Sequence, residues 1–434
     1  MIYGIDDRVP TGRLILFAIQ LVLSVFVASV LIANICGVSV SGALFGAGLA
    51  TIIYLIVTKF RSPMYVSNSG AFVAPVMIAL AAGGYTAVAI GGLTTCLVYC
   101  LFGYIFSKVP VNNIYKIFPR SLIGAVTAVI GITLMGFIGT YVQIDGVINQ
   151  WGVAIALFTA IVTAAISHYA RGVARILPFL LGILAGYVVA IIVTLTGAYE
   201  IVDFSAFNDM KLFALPDIAL LHWNAVDLKA VLPVIVIYVA YTISAMMECL
   251  SDHGALSGII GVDLYENPGL GRIFSGEGLA NLAGSMFGGL GICSYGEGVA
   301  CVGFSRVSST MVTLVAALIM IALSFFAPVQ AFITSIPSCV YAGVALILYG
   351  YIACSGIKML QGVDLNNQKN LIMVSSVLSL GISGLAVGGT TFALSGTALG
   401  LVFGVIINFL LKDVTFSRAA FCDGEIKHDF YTNK

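Results

Sequence analysis

Three carboxylates stand where a chain this apolar has little reason to place charge. Glu248 and Asp252 occur in Ala245-Met246-Met247-Glu248-Cys249-Leu250-Ser251-Asp252-His253, and Glu297 in Cys293-Ser294-Tyr295-Gly296-Glu297-Gly298. On a helix, the four-residue spacing of Glu248 and Asp252 puts both on one face. Two carboxylates so close in a low-dielectric site are expected to hold one proton between them. Such a pair could take up a proton together with a polar solute. Glu297 lies between Gly296 and Gly298, which let the chain leave helical geometry and bring backbone N–H groups towards a ligand. A carboxylate there can accept hydrogen bonds from a ligand's N–H groups, or serve as a first-turn helix acid. A second interruption, Ser69-Gly70-Ala71-Phe72, offers backbone N–H donors and one aromatic face.

The elements that must position these groups are membrane spans. Of 434 residues, 60% are hydrophobic and 9% charged, with a mean hydropathy of +1.09; a soluble domain has about a quarter of its residues charged. The 48 glycines suit close helix contacts in lipid. The formal net charge is zero, so nucleic acid is not an expected partner. A span needs about 20 apolar residues, and such runs lie near 13–35, 41–58, 84–107, 120–140, 150–170, 173–197, 231–250, 274–290, 308–330, 337–355, 369–388 and 394–412. The interrupted stretches 64–82 and 291–305 bring the total to fourteen. The first run is read as a retained helix, since no small-residue cleavage site follows it.

Cationic residues test that count. The even-numbered turnarounds hold Lys59 and Arg61; Lys108, Lys116 and Arg120; Arg171 and Arg175; Arg272; Arg306; and Lys358 and Lys369, whereas only Lys211 and Lys229 fall on the other side. Cations stay cytoplasmic during insertion, so both termini are expected in the cytoplasm. The external connection 201–230 divides two seven-span halves, 1–200 and 231–412, and a cytoplasmic tail, 413–434, follows. Seven is odd, so the halves enter from opposite sides, and the third span of each is broken. That pattern points to inverted repeats with a midplane site and alternating access.

Other groups read as structural. Glu277, in Gly276-Glu277-Gly278, is expected to cap a cytoplasmic helix start. Asp252 and His253 could also lie solvated at a cytoplasmic helix end, and His253 is read as interfacial. Gln20 suits a helix–helix hydrogen bond. The nine cysteines are scattered and form no CxxC pair, so no metal site is expected. Gly288-Gly289-Leu290-Gly291 lacks the Gly-Lys-Ser/Thr of a nucleotide loop. Without a nucleophile–base cluster or cofactor motif, the chain is not expected to be an enzyme or to carry a cofactor.

The residues from Asp252-His253 through Asn267-Pro268-Gly269-Leu270 and Gly276-Glu277-Gly278-Leu279 to Ser294-Tyr295-Gly296-Glu297 resemble the nucleobase–ascorbate transporter family, in its bacterial uracil permease branch. Leu348-Tyr349-Gly350, Ala353-Cys354-Ser355-Gly356-Ile357 and Ala71-Phe72-Val73-Ala74-Pro75 resemble it too. The resemblance implies an all-α polytopic membrane fold of fourteen segments in a 7+7 inverted repeat, with core and gate domains and short strands in segments 3 and 10. It implies a homodimer in the inner membrane. It also implies a proton-coupled nucleobase symporter whose two essential carboxylates match Glu248 and Glu297. Backbone amides matching Phe72 and Gly296 would help hold the base, with Ala71, Tyr295 and Tyr349 nearby and Glu248 or Asp252 carrying the proton. Relatives that carry purines have Gln at the position of Glu297, so uracil or a related pyrimidine is expected here. A xanthine or urate carrier, favoured by Asp252, is the alternative, and an anion transporter of the related sulfate-transporter fold is a more distant one. The sequence departs from the family pattern at Ile19-Gln20, Gly70, Gly291-Ile292-Cys293-Ser294, Cys249 and Gly298.

Overall fold

The computed structural model describes residues 1–108, 116, 119–136, 138–144, 147–171, 174, 178–207, 212–389, 392–411, 415–416 and 431–432. Its helices follow the apolar runs. Helix α1 (Thr11–Cys36) ends where Gly37 turns left-handed, and Ser39 then caps α2 (Val40–Val57) by accepting the Gly42 N–H. Strand β1 (Val66–Asn68) and one 3-10 turn (Gly70–Phe72) lead into α3 (Val73–Lys108), which contains the third and fourth predicted segments. They meet at Gly83 and Gly84, where the backbone leaves helical geometry and Gly84 takes φ +62°. Then follow α4 (Arg120–Met135), α5 (Gln150–Tyr169), capped by Asn149, and α6 (Pro178–Leu195).

After the long connection come α7 (Leu228–Ile260), α8 (Leu270–Ala283) with a wide turn at Gly284–Gly288, and strand β2 (Ile292–Ser294). The chain continues through α9 (Gly296–Ser305), α10 (Thr310–Ser324), a short helix Ala327–Ser335, α11 (Ser338–Leu360), α12 (Gln368–Ile382) and α13 (Gly396–Leu410). Each of the fourteen predicted segments thus has its element. Among the described residues, eight helices are long and apolar enough to cross a bilayer. The largest extension is at α7, where the run expected to end at 250 continues as helix to Ile260. The carboxylates lower hydropathy there without breaking the helix. The predicted tail 413–434 lies outside the described residues except at 415–416 and 431–432.

The chain forms two compact units, each drawing on both halves of the sequence: 1–108 with 136–348, and 109–135 with 349–434. In the first, β1 and β2 pair antiparallel, Val66 with Ser294, Ser67 with Cys293 and Asn68 with Ile292. The two broken segments thereby satisfy each other's backbone groups, as chain inside a bilayer must. Glycines set the spacing around them. A Cβ at Gly46 would stand 2.7 Å from Gly288, one at Gly92 2.4 Å from Ser285, and one at Gly278 2.8 Å from Tyr99. Helix α8 therefore packs closely against both α2 and α3.

Loops of this unit gather in two groups. The N-terminal residues meet the turn after α9, with Ile2 N–H donating to Arg306 O at 2.7 Å and Ser308 N–H to Tyr3 O at 3.0 Å. Arg61, in the turn after α2, pairs with Asp6 at 2.6 Å. The long connection meets odd-numbered turnarounds instead. Asp217 N–H donates to Ser41 Oγ at 3.0 Å, Asn224 N–H to Thr86 Oγ1 at 2.9 Å and Ala214 N–H to Phe325 O at 3.0 Å. The even-numbered turnarounds in these contacts meet the N-terminal residues, and the odd-numbered ones meet the long connection.

In the second unit α4 lies against residues 349–360 of α11, and α12 and α13 pack on it. A Cβ at Gly131 would stand 2.3 Å from Ala353 N, and one at Gly356 2.3 Å from Ala128 N. Asn408 Nδ2 donates to Lys116 O at 2.8 Å.

Candidate functional site

Helix α7 carries Glu248 and Asp252 on one face, and the pairing of β1 with β2 brings α8 and the start of α9 up to that face. A Cβ at Gly296 would stand 3.7 Å from Asp252 Oδ1. Glu248 lies within electrostatic range of Asp252, Glu297 and Glu277, and its carboxylate faces the Cys293 thiol. Asp252 faces the Ser294 hydroxyl. Both residues are half-buried, yet Glu248 Oε2 and Asp252 Oδ2 are shut off from water and make no hydrogen bond. Unpartnered buried carboxylate oxygens are costly unless something arrives to bind them. Glu297 is half-buried in the first turn of α9, whose N-terminus has no side-chain cap. The structure thus brings these three acids, each singled out in the sequence, close together.

The opposite break is more self-contained than its sequence suggests. Ser69 Oγ accepts the Ala71 N–H at 3.1 Å, and Ser69 O accepts the Phe72 N–H at 3.1 Å. The Phe72 amide, which the resemblance implies would hold a base, is thus occupied within the turn, as is that of Ala71. The Phe72 ring is fully buried, stacked on Tyr238 with centroids 5.9 Å apart, and packed so closely on Gly291 that a Cβ there would stand 2.3 Å from its Cγ. Tyr295 is buried as well, and its hydroxyl donates to Asn68 O at 3.1 Å, tying the two breaks together. Tyr349 belongs to the second compact unit, where it is buried. Gly296 is exposed.

Three expectations are corrected. Glu277 does not cap a helix start; it sits in the interior of α8 at 0% exposure, and its Oε2 accepts the Ser294 N–H at 3.2 Å while Oε1 has no partner. Gly276 and Gly278 are the reason. They let Tyr54 and Tyr99 close over both sides of α8, and this buries the acid between them. The pattern Gly-Glu-Gly, shared with residues 296–298, was the available signal. His253 is likewise not interfacial. It is at 0% exposure, with Nδ1 2.8 Å from Cys249 O and Nε2 2.6 Å from the Tyr54 hydroxyl. Nor are the cysteines merely scattered, because Cys249, His253 and Glu277 bring three potential ligand atoms within 4.8 Å of one another. Both ring nitrogens already carry hydrogen bonds, so the trio works as a hydrogen-bonded cluster in this structure.

A broken-helix crossing that faces buried carboxylates is a transporter arrangement, and comparison with known proteins bears directly on it. Residues 12–389 match the model of a permease family. The chain belongs to that family, the nucleobase–ascorbate transporters. It is 33% identical over 418 residues to the uracil permease of Bacillus caldolyticus, covering 94% of each chain. It is 32% identical over 420 residues to the uracil permease of Paenibacillus larvae, covering 94% of this chain and 96% of that one. Among solved structures, the transmembrane domain of a cyanobacterium bicarbonate transporter has a similar fold, with a TM-score of 0.64 at 14% identity, covering 93% of this chain and 98% of that one. Family membership and the eight apolar helices make this a multi-pass membrane protein.

Proposed function

We propose that the chain is a proton-coupled symporter that imports a nucleobase, uracil or a related pyrimidine. The observation that carries this reading is the buried, unpartnered Glu248 Oε2 beside Asp252 and Glu297 at the crossing of the two broken segments. A pyrimidine base presents ring N–H donors, and Glu248 and Glu297 are the acceptors offered to them. Charge-assisted hydrogen bonds of this kind contribute about 1.5–3 kcal/mol each. The exposed Gly296 lies beside Asp252, and Glu248 or Asp252 carries the coupled proton. The uracil permeases among the relatives support the choice of base.

The halves 1–200 and 231–412 act in this reading as inversely inserted repeats, in an inner membrane with both termini cytoplasmic, and the working form is a homodimer. The likeness to a bicarbonate transporter, at 14% identity, is one of fold, and the uracil permeases among the relatives favour a base over an inorganic anion. A xanthine or urate symporter is the second reading, since Asp252 stands beside Gly296 where a larger base would reach. Uptake of labelled uracil into proteoliposomes, with and without an inward proton gradient, tests the proposal. Gradient-stimulated uptake that unlabelled uracil abolishes supports it; failure of every pyrimidine to compete, with competition by xanthine, overturns the choice of base.

A further inference from the structure

Helix α9 carries Glu297 in its first turn and is ten residues long, about 15 Å from end to end. Its sides fit loosely. A Cβ at Gly296 would stand 3.7 Å from its nearest neighbour, one at Gly298 3.5 Å from Tyr65 and one at Gly303 3.5 Å from Ile259, all ordinary contact distances. Gly278 of α8 has no such slack, since a Cβ there would meet Tyr99 at 2.8 Å. Glu297 therefore takes its place from how the two ends of α9 are fixed. One end follows β2, which is paired with β1. The other closes at Arg306, a left-handed residue at φ +56° whose N–H donates to Val302 O.

The N-terminal segment holds that second end. Arg306 O accepts the Ile2 N–H at 2.7 Å, and Tyr3 and Val307 form a parallel bridge. Three consecutive hydroxyl residues follow, Ser308, Ser309 and Thr310, all buried. Each donates to a main-chain carbonyl of the segment: Ser308 Oγ to Tyr3 O at 3.2 Å, Ser309 Oγ to Asp7 O at 3.0 Å and Thr310 Oγ1 to Ile5 O at 3.4 Å. Asp6, on the same segment, pairs with Arg61 at 2.6 Å, in the turn that leads into β1. Residues 2–7 thus join the end of one broken segment to the approach of the other. Among the described residues, Lys59, Phe60 and Arg306 are the three non-glycine residues with left-handed φ, and all lie at these two anchor points. Such backbone is costly and persists only where its surroundings enforce it.

We propose that residues 2–7 are a strap that sets the position of α9, with Ser308, Ser309 and Thr310 as positioning residues for Glu297. This rests on the reading of Glu297 as a carboxylate that binds the base. Such a group must be held within about 0.5 Å of its productive place. With β2 tied to β1 and Arg306 tied to the strap, α9 is fixed at both ends. Once the Arg306 end is freed, the loose sides of α9 let it shift, and Glu297 moves with it. A segment kept only to cover apolar surface would not need a buried hydroxyl on each of three successive residues, where apolar groups fill space at less cost.

Deletion of residues 2–8 tests this. A second variant keeps the segment and removes its anchors, combining Ser308→Ala, Ser309→Ala and Thr310→Val; its counterpart, Ser308→Thr with Ser309→Thr and Thr310→Ser, retains all three hydroxyls. Purified proteins are compared by equilibrium uracil binding and by amide hydrogen exchange over residues 296–306 and over α8. Uracil binding weakened about 10-fold, the weight of one loosened charge-assisted hydrogen bond, with faster exchange over 296–306 and unchanged exchange over α8, supports the strap. The hydroxyl-retaining variant should then match the parent in both measurements. Where the deletion fails to fold, the hydroxyl-free variant carries the test. Parental uracil affinity in the folded variants overturns the proposal, even if their unfolding midpoints fall, because the segment is then structural only. Unchanged exchange over 296–306 overturns it as well. A parent chain that binds no uracil overturns the reading of the site instead, and the exchange measurement then decides by itself whether the strap holds α9.

Discussion

Ser294 donates its main-chain N–H to Glu277 Oε2 across 3.2 Å, in a region sealed from solvent. This bond joins the strand of the tenth segment to the helix before it, so Glu277 supports the backbone that leads into Gly296 and Glu297. Asn281, one turn further along α8, does the same for Ile292 O through its Nδ2 at 2.7 Å. The short strand is thus held from the side by two polar groups of α8 and edge-on by β1.

Glu277→Leu should therefore destabilise the protein by about 1–3 kcal/mol, the cost of leaving a buried N–H without an acceptor. Glu277→Gln keeps a carbonyl oxygen in the same place and should lose less. Thermal unfolding in detergent checks the order, which is parent, then Gln, then Leu; equal midpoints for the two variants would mean that the Ser294 bond carries no weight.

Gly291→Ala should be destabilising by about 1–3 kcal/mol, as overpacking of a tight interior is. Its new methyl would stand 2.3 Å from Phe72 Cγ, and Phe72 cannot retreat because its ring is stacked on Tyr238. Gly258→Ala is the control. Nothing lies within 4 Å of a Cβ there, and the site is an exposed position inside α7, so the midpoint should hold or rise. A Gly291→Ala protein as stable as its parent would show that the Phe72 turn is free to shift.

Much of this architecture was legible because membrane folding writes itself into composition. Spans show as apolar runs, and the two breaks show because Ser69-Gly70 and Tyr295-Gly296 interrupt them. The pairing of Glu248 with Asp252 followed from their spacing, whereas the link from Glu248 to Glu297 came from the family resemblance. Glu277 was misjudged because its burial depends on Tyr54 and Tyr99 closing over Gly276 and Gly278, contacts between separate helices that no local pattern reports. His253 was misjudged because hydropathy falls at Asp252 while the helix runs on to Ile260. Its partner Tyr54 is 199 residues away in the chain. The occupied amides of Ala71 and Phe72 were equally hidden, since Ser69 could have turned outward.

Glu248→Gln and Glu297→Gln should each weaken uracil binding by about 10- to 100-fold, the loss of one charge-assisted hydrogen bond. An amide can turn its NH2 towards the base N–H, which converts attraction into a clash of donors. Equilibrium binding to purified protein measures this. Unfolding midpoints near that of the parent confirm that the site and not the fold was lost. If Glu297→Gln also gains affinity for xanthine, the position selects between base classes; unchanged uracil affinity in either variant would remove that carboxylate from the site.

The sorting of loops into two groups makes a prediction about sidedness. Asp6 is exposed beside Arg61 among the loops assigned to the cytoplasm, whereas Glu200 is exposed in the connection assigned to the outside. Cys100, Cys354 and Cys422 are replaced by Ser to clear the background, since the remaining cysteines are buried. In that background Glu200→Cys should react with a membrane-impermeant maleimide in intact cells, and Asp6→Cys only after permeabilisation. The reverse result would invert the orientation while keeping the fold. Labelling of both from the same side would contradict the separation of even and odd turnarounds, because Asp6 is joined to the turn after α2 and residue 200 follows the seventh segment, an odd number of crossings away.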